Sequence, residues 1–215
     1  MPVLSEAQIE EALQPFLSPV SPELVQQLSV YLDLLVRWNE RTNLTAVRSP
    51  EEMVRRHFGE SLFAGLHLGK PLPDTLLDLG SGAGFPGMPI ALQHPSVKVT
   101  LAESQNKKAT FLREVVRTLG LSNVEVWGGR AEALPATRTF HTVTLRAVDN
   151  MAAALEAAMP RAAHQILLLA TDPPAISQGF RLVEKIPVPE SSNSFVLRLL
   201  RDDVPRGTLQ VASKL

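Results

Sequence analysis

Residues 76–92 read LLDLGSGAGFPGMPIAL. A short apolar run stops at Leu79, and the next ten residues hold Gly80, Gly82, Gly84 and Gly87 together with Pro86, Pro89 and a lone Phe85. A tight turn at a strand end needs residues without a Cβ, so that backbone N–H groups can approach a ligand closely. Pro86 falls where the next helix should begin and Pro89 comes three residues later. Both are tolerable there, because the first N–H groups of a helix have no intrahelical partner to lose. His94-Pro95 then ends the helix and keeps it short.

Working outward, the seventy residues before this stretch read as helical. Ser21-Pro22 and Ser49-Pro50 each offer an N-cap followed by proline at the first helical position, and Glu52 completes a capping box on Ser49. Leu24, Leu28, Tyr31, Leu32, Leu35 and Trp38 recur at helical spacing and form an apolar stripe. From Thr75 onward short β-branched or apolar runs alternate with helical patterns, as a parallel sheet with crossover helices requires. The predicted strands are 75–79, 97–102, 123–127, 141–145 and 165–170, then 180–188 and 194–200, the last two close enough across Ser191-Ser192-Asn193 for an antiparallel hairpin. A helix lined by Phe111, Leu112, Val115, Val116 and Leu119 is predicted to end at Gly120. The expected fold is therefore α/β: a Rossmann-like, mostly parallel seven-stranded sheet over 71–215, with an N-terminal helical extension over 1–70.

Composition fits that picture. The chain has 215 residues, 45% of them hydrophobic, enough for one main core. It holds no cysteine, which excludes disulfides, thiol nucleophiles and Cys-ligated zinc and suits a reducing compartment. The opening residues MPVLSEAQIEEALQPF acquire acids and a proline before any long apolar run, unlike a secretory signal, and no stretch reaches the ~20 apolar residues that cross a bilayer. A soluble, cytoplasmic, monomeric protein without a membrane partner is expected. The net charge of −1 gives no strong whole-molecule attraction for polyanions, so such a partner must meet a local basic patch.

Two ligand classes compete for the glycine turn. Counted from Gly82, GAGFPG matches the dinucleotide fingerprint GxGxxG, which would imply an NAD(P)-dependent oxidoreductase. Counted from the strand end, Gly80, Gly82 and Gly84 form GxGxG followed by Phe85, the register typical of S-adenosyl-L-methionine-dependent methyltransferases. Pro86 favours the second, because it removes a helix N-terminal donor that a pyrophosphate would need. The next strand ends in Leu101-Ala102-Glu103, about 20 residues past the glycines, where a carboxylate can accept from both ribose hydroxyls. Taken alone Glu103 is a solvated strand-end charge; beside the glycine turn it is a cofactor residue. Residues 128–132, GGRAE, follow the third strand at the same sheet edge, within reach of an adenine.

The order RWNERTNLTAV, RRHFGESL, LDLGSGAGFPGMPIAL, LAESQNKKATFLREV, GRAEAL, LRAV resembles the bacterial glucose-inhibited division protein B family, guanine-N7 methyltransferases of small-subunit (16S) ribosomal RNA. The similarity runs from about Leu24 to Val148. It implies that Gly80, Gly82 and Phe85 line the adenosylmethionine pocket, that Glu103 holds the ribose, that Ala131 and Glu132 flank the adenine, and that Arg146 reaches the cofactor or the target base. Three positions depart from the family pattern: Leu145 stands for a serine before Arg146, Ala170-Thr171 for Lys-Gly at the end of the fifth strand, and Ser194 for an arginine in the last hairpin.

The chemistry agrees with this likeness. Guanine N7 carries a lone pair and no proton, so methyl transfer needs no base and positioning dominates. The chain shows no HExxH and no Ser-His-Asp spacing, and no metal is expected. The product ring is cationic, so an acceptor near the base would help more than another positive charge; Arg146 is therefore expected to orient the cofactor carboxylate or the guanine O6. Asp172-Pro173-Pro174 is followed by Ala175 instead of an aromatic residue and reads as a turn. For RNA, held within a ribosomal particle, Arg37, Arg41, Arg48, Arg55, Arg56 and His57 form the local basic candidate, with Lys107, Lys108, Arg113 and Arg117 a second. Asn39, Asn43 and His57 match family positions, which implies that they face the cofactor opening and, with Arg55 and Arg56, are candidates for substrate or RNA contact; Trp38 is expected to anchor the core. A non-catalytic RNA- or nucleotide-binding module of the same fold is the remaining alternative.

Overall fold

The computed structural model describes residues 2–146, 150–176 and 179–203. Ala147 and Val148, the end of the family-like segment, and the terminal stretch from 204 lie outside the described residues. Seven strands form one sheet: β1 (Thr75–Leu79), β2 (Lys98–Ala102), β3 (Val124–Trp127), β4 (Phe140–Arg146), β5 (Ala162–Ala170), β6 (Phe180–Pro187) and β7 (Phe195–Arg201), in the order β3-β2-β1-β4-β5-β7-β6. Strands β1 to β5 are parallel; β7 pairs antiparallel with both β5 and β6. The strand order reverses at β1, which puts the glycine turn at the switch point where open α/β sheets bind ligands.

Both faces of the sheet are covered, so its central strands are apolar on both sides. Leu76, Val99, Leu101, Leu167 and Leu169 face one core, while Leu77, Val143, Leu145, Ile166 and Leu168 face the other. The first core is roofed by α1 (Glu6–Leu13), α2 (Pro22–Thr42), α3 (Pro50–Met53), a π-helical segment (Val54–Gly59), α4 (Glu60–Leu66), α5 (Gly87–Gln93) and α6 (Asn106–Leu119). The second is closed by α7 (Met151–Ala158) and the 3₁₀ turn Ala131–Ala133. No described helix is long and apolar enough to cross a membrane.

Local chemistry sets the helix ends. Ser21 caps Leu24 N–H with Pro22 in the first turn, and Gly120 closes α6 with φ 64°. The reciprocal capping box forms at Ser5–Gln8, which the sequence reading passed over. At Ser49 only half of the predicted box is made: the hydroxyl takes Glu52 N–H, but it donates to Glu51, and the Glu52 carboxylate pairs with Arg56. Helix α5 starts at Gly87, with Pro86 at its N-cap rather than at the first helical position.

Candidate functional site

The corner after β1 is built from three sides. The Gly80 and Ser81 N–H groups both donate to Ala102 O at 3.0 Å, extending the β1–β2 pairing beyond Leu79. Gly82 N–H donates to Glu103 Oε2 at 2.9 Å and Gln105 N–H to Oε1 at 2.7 Å, so the predicted ribose carboxylate is tied to the predicted glycine turn. Beneath it lies Asp78, 1% exposed, which accepts from Ser81 Oγ (2.6 Å), Thr144 Oγ1 (2.8 Å) and Gly87 N–H (3.1 Å). Burial raises the Asp78 carboxyl above its ordinary range; those three donors and Arg146 pull it back.

The glycines divide into two kinds. At Gly80, with φ 71°, an added Cβ would meet nothing within 4 Å, and at Gly82 only Gly80 O at 3.9 Å. At Gly84 it would strike the Tyr31 hydroxyl, and at Gly87 it would lie 2.6 Å from Asp78 Cβ and Leu101 Cδ2. The first pair leaves open space above the turn, and the second pair lets helix and loop seat on the strands.

This corner suits adenosylmethionine and not a dinucleotide. A pyrophosphate needs the free donors of a helix N-terminus, but here Pro86 has no N–H and the Gly87 N–H is held by the Asp78 carboxylate. An open glycine edge beside Glu103 fits an adenosyl group with ribose hydroxyls and no phosphate. Gly80, Gly82 and Glu103 would hold it. Ala131 is buried and Glu132 exposed in the 3₁₀ turn after β3, at the same sheet edge.

Phe85 turns inward, 8% exposed, stacking on Tyr31 (5.6 Å, 12°) and His57 (4.9 Å, 26°) and meeting Phe58 edge-on at 5.3 Å. The buried Tyr31 hydroxyl donates to Ala83 O. Trp38 packs on Phe111 and donates to Glu114 Oε2 at 3.2 Å. His57 Nε2 meets Thr45 Oγ1 at 2.7 Å, and burial, with Arg146 and Arg56 nearby, lowers the imidazole to about 3. His57 is therefore neutral at physiological pH. Asn39, expected among the RNA-contact residues, is instead 3% exposed, its amide accepting from Thr45 N–H (2.9 Å) and donating to Val47 O (3.4 Å). It shapes the loop after α2. Asn43 is exposed in left-handed conformation with Arg48 on its Oδ1 (3.2 Å); Arg55 pairs with Glu190 and Arg56 with Glu52 at the surface.

Arg146 extends from β4 into the π-helical segment. Its guanidinium donates to Arg56 O, His57 O and Ser61 Oγ (3.3 Å each for the latter two) and pairs with Glu60 Oε2 at 2.9 Å. The His57 carbonyl also accepts from Glu60 N–H and Ser61 Oγ, so Arg146 adds a further donor to a π-helical segment that is already bonded. A cavity of about 280 Å³ opens alongside, lined by Arg56, Glu60, Arg146, Met151, Leu169, Ala170, Thr171 and Ser194. Two of the three family departures, Ala170 and Ser194, thus share one wall. Sequence reading missed Asp78, Glu60 and Ser61, and placed Tyr31 only in the apolar stripe of α2, not against the glycine turn. Only Asp78 carried a local signal, an acid inside an apolar strand. Among the described residues no group of three or more acidic or histidine side chains could hold a metal.

The family model of rRNA small subunit methyltransferase G matches residues 24–176. A ribosomal RNA small subunit methyltransferase G of Xylella fastidiosa is 53% identical over 127 residues, 59% of this chain and 58% of that protein, so the matched region spans less than two thirds of that relative. One from Nitrosomonas europaea is 42% identical over 148 residues, 68% of each chain. Among solved structures, TrmN from Thermus thermophilus superposes with a TM-score of 0.56 at 19% identity, covering 69% of this chain and 53% of that one; it shares the fold.

Proposed function

The chain belongs to the rRNA small subunit methyltransferase G family, and from that premise we propose that it transfers a methyl group from S-adenosyl-L-methionine to N7 of a guanine in small-subunit ribosomal RNA. The observation that carries this reading is the corner after β1: Gly80 and Gly82 open on free space beside the buried Glu103 carboxylate, while Asp78 occupies the helix N-terminus that a dinucleotide would claim. When bound, adenosylmethionine supplies an electrophilic methyl on a sulfonium sulphur.

The residues of this chain then have little proton chemistry to perform. The guanine N7 lone pair attacks directly, no proton leaves, and the positive charge passes to the purine. Rate comes from orientation and from the electrostatics around the base. Glu103 fixes the ribose, the Gly80–Gly82 backbone seats the adenosyl group, and Arg146 holds the π-helical segment against the sheet edge. The exposed arginines Arg37, Arg41 and Arg56, with the half-buried Arg55, are candidates for phosphate contacts. With a net charge of −1 the protein is expected to bind naked RNA weakly and to need a structured ribosomal particle in the cytoplasm.

Calorimetry with adenosylmethionine and with NADH should give binding for the first alone; the reverse would overturn the cofactor assignment in favour of an oxidoreductase. Radiolabelled methyl transfer to small subunits lacking the modification should label a single guanine. Cofactor binding without transfer would support the non-catalytic alternative.

A further inference from the structure

We infer that the cavity at the ends of β4 and β5 receives the target guanine, and that Glu60 is the acceptor that reads its N1–H and N2–H₂ edge. This deepens the methyl-transfer reading and rests on it. The placement follows from register. Asp78 pairs with Thr144 across β1 and β4, and the same register carried two residues on brings the start of the glycine turn level with Arg146 at the end of β4. Arg146 in turn pairs with Leu169, and Ala170 with Phe195, next to Ser194. The cavity is thus one strand over from the glycine corner, on the same edge of the sheet.

Its lining suits one planar base. Met151, Leu169 and Ala170 offer apolar contact, and a volume of about 280 Å³ is at the low end for a ligand pocket, which fits a single base rather than a larger ligand. Of the charged groups, Arg146 is consumed by Arg56 O, His57 O, Ser61 Oγ and Glu60 Oε2. Arg56 reaches out to Glu52. Glu60 gives Oε2 to Arg146, while its Oε1 takes no hydrogen bond among the described residues, and the side chain, 14% exposed, borders the cavity.

A half-buried acceptor of this kind selects a base edge that carries adjacent donors. Guanine has one in N1–H and N2–H₂. Adenine and cytosine place a ring acceptor beside the exocyclic amine, and uracil places a single N–H between two carbonyls, so each would leave the carboxylate facing a lone pair. The guanine edge with N1 and N2 lies across the purine from N7, so Glu60 gripping the one turns the other toward the glycine corner. The lone pair of N7 forms the new N–C bond as the C–S bond breaks toward sulphur, and the purine gains a positive charge that the same carboxylate offsets.

Small subunits lacking the modification, with guanosine or with inosine at the target position, test this. Inosine keeps N7 and N1–H but lacks the N2 amine. The wild-type chain should lose about 10- to 100-fold in methyl-transfer kcat/KM on inosine particles, the range of one hydrogen bond to a charged acceptor. Glu60→Gln, which keeps an oxygen for Arg146 but sets an amide N–H₂ against the base, should lose a similar factor on guanosine, lose little more on inosine, and keep its affinity for adenosylmethionine by calorimetry. Full activity of Glu60→Gln on guanosine, or undiminished sensitivity of that variant to inosine, overturns the role of Glu60. Should the variant fail to bind cofactor, the wild-type comparison decides alone: equal rates on guanosine and inosine overturn the proposal. Absence of transfer by the wild-type chain to guanosine particles would instead defeat the methyltransferase reading itself.

Discussion

A single methyl group distinguishes the two kinds of glycine in the turn after β1. At Gly87 it would press to 2.6 Å on Asp78 and Leu101, both buried in the core, so Gly87→Ala should cost about 1–3 kcal/mol by overpacking and lower the denaturation midpoint accordingly. At Gly80 the space is free, and Gly80→Ala should cost only about 1 kcal/mol for its positive φ while sharply weakening adenosylmethionine binding, because the methyl enters the ligand's side of the turn. Equal loss of stability in the two variants would contradict this division. His57 makes a second prediction, in pH. Burial first, then Arg146 and Arg56, lower its folded value from 6.5 to about 3, so between those values the unfolded chain binds a proton that the folded chain refuses. Its contribution to stability is therefore complete above pH 6.5 and lost as pH falls toward 3. The slope is at most about 1.4 kcal/mol per pH unit. Other histidines are lowered too, so the readout is a difference: urea midpoints measured from pH 7 to pH 4 should fall less steeply for His57→Gln than for the wild type, and parallel curves would rule the imidazole out as a source of acid sensitivity.

At the scale of elements, the N-terminal helices hold the glycine corner in shape. Helix α2 delivers Tyr31 to Ala83 O, 52 residues away in sequence, within a cluster of Phe58, Phe85 and Phe111. Tyr31→Phe keeps the ring and removes the hydroxyl that donates to that carbonyl, so stability should fall by about 1–2 kcal/mol. Calorimetry should then show weaker adenosylmethionine binding, with turnover at saturating cofactor little changed; unchanged affinity would mean that the turn needs no support from α2. The same contact marks the border of what sequence could reveal. Strands β1, β2 and β5 were legible because both faces are buried, which writes them as short, mostly apolar or β-branched runs set off by glycine and proline signals. Ser21-Pro22 and Gly120 declared helix ends through local backbone chemistry, and the place of Glu103 at the end of β2, beside the glycine turn, followed from the strand pattern. Pairings between distant residues left no such trace. The ion pair of Arg146 with Glu60 spans 86 residues, and the π-helical segment it braces has no local signature separate from the helices flanking it. Ser5–Gln8 and Ser49–Glu52 carry the same capping pattern; the second is only half made because Arg56, one turn on, takes the Glu52 carboxylate.

For the molecule as a whole, the first seventy residues and the sheet share one core. Leu13, Leu28, Leu32, Leu35, Phe58 and Leu62 belong to the same buried cluster as Leu76, Val99, Leu101, Phe111 and Leu112. Removing residues 1–70 would leave α5 and α6 on that face of the sheet but bare the sides of them that α2 and α4 cover, and exposed apolar surface of this kind drives aggregation. The full chain should therefore unfold in one cooperative step despite its two-part appearance in sequence. Its two tryptophans supply the probe, since Trp38 sits on α2 against Phe111 while Trp127 ends β3. In a Trp127→Phe variant, fluorescence reports on the helical layer alone and far-ultraviolet circular dichroism on the whole chain. The two curves should coincide in urea. A fluorescence transition that precedes the loss of ellipticity would mean that the helices peel away as a separate unit, and a soluble, folded fragment over 71–215 would carry the same message.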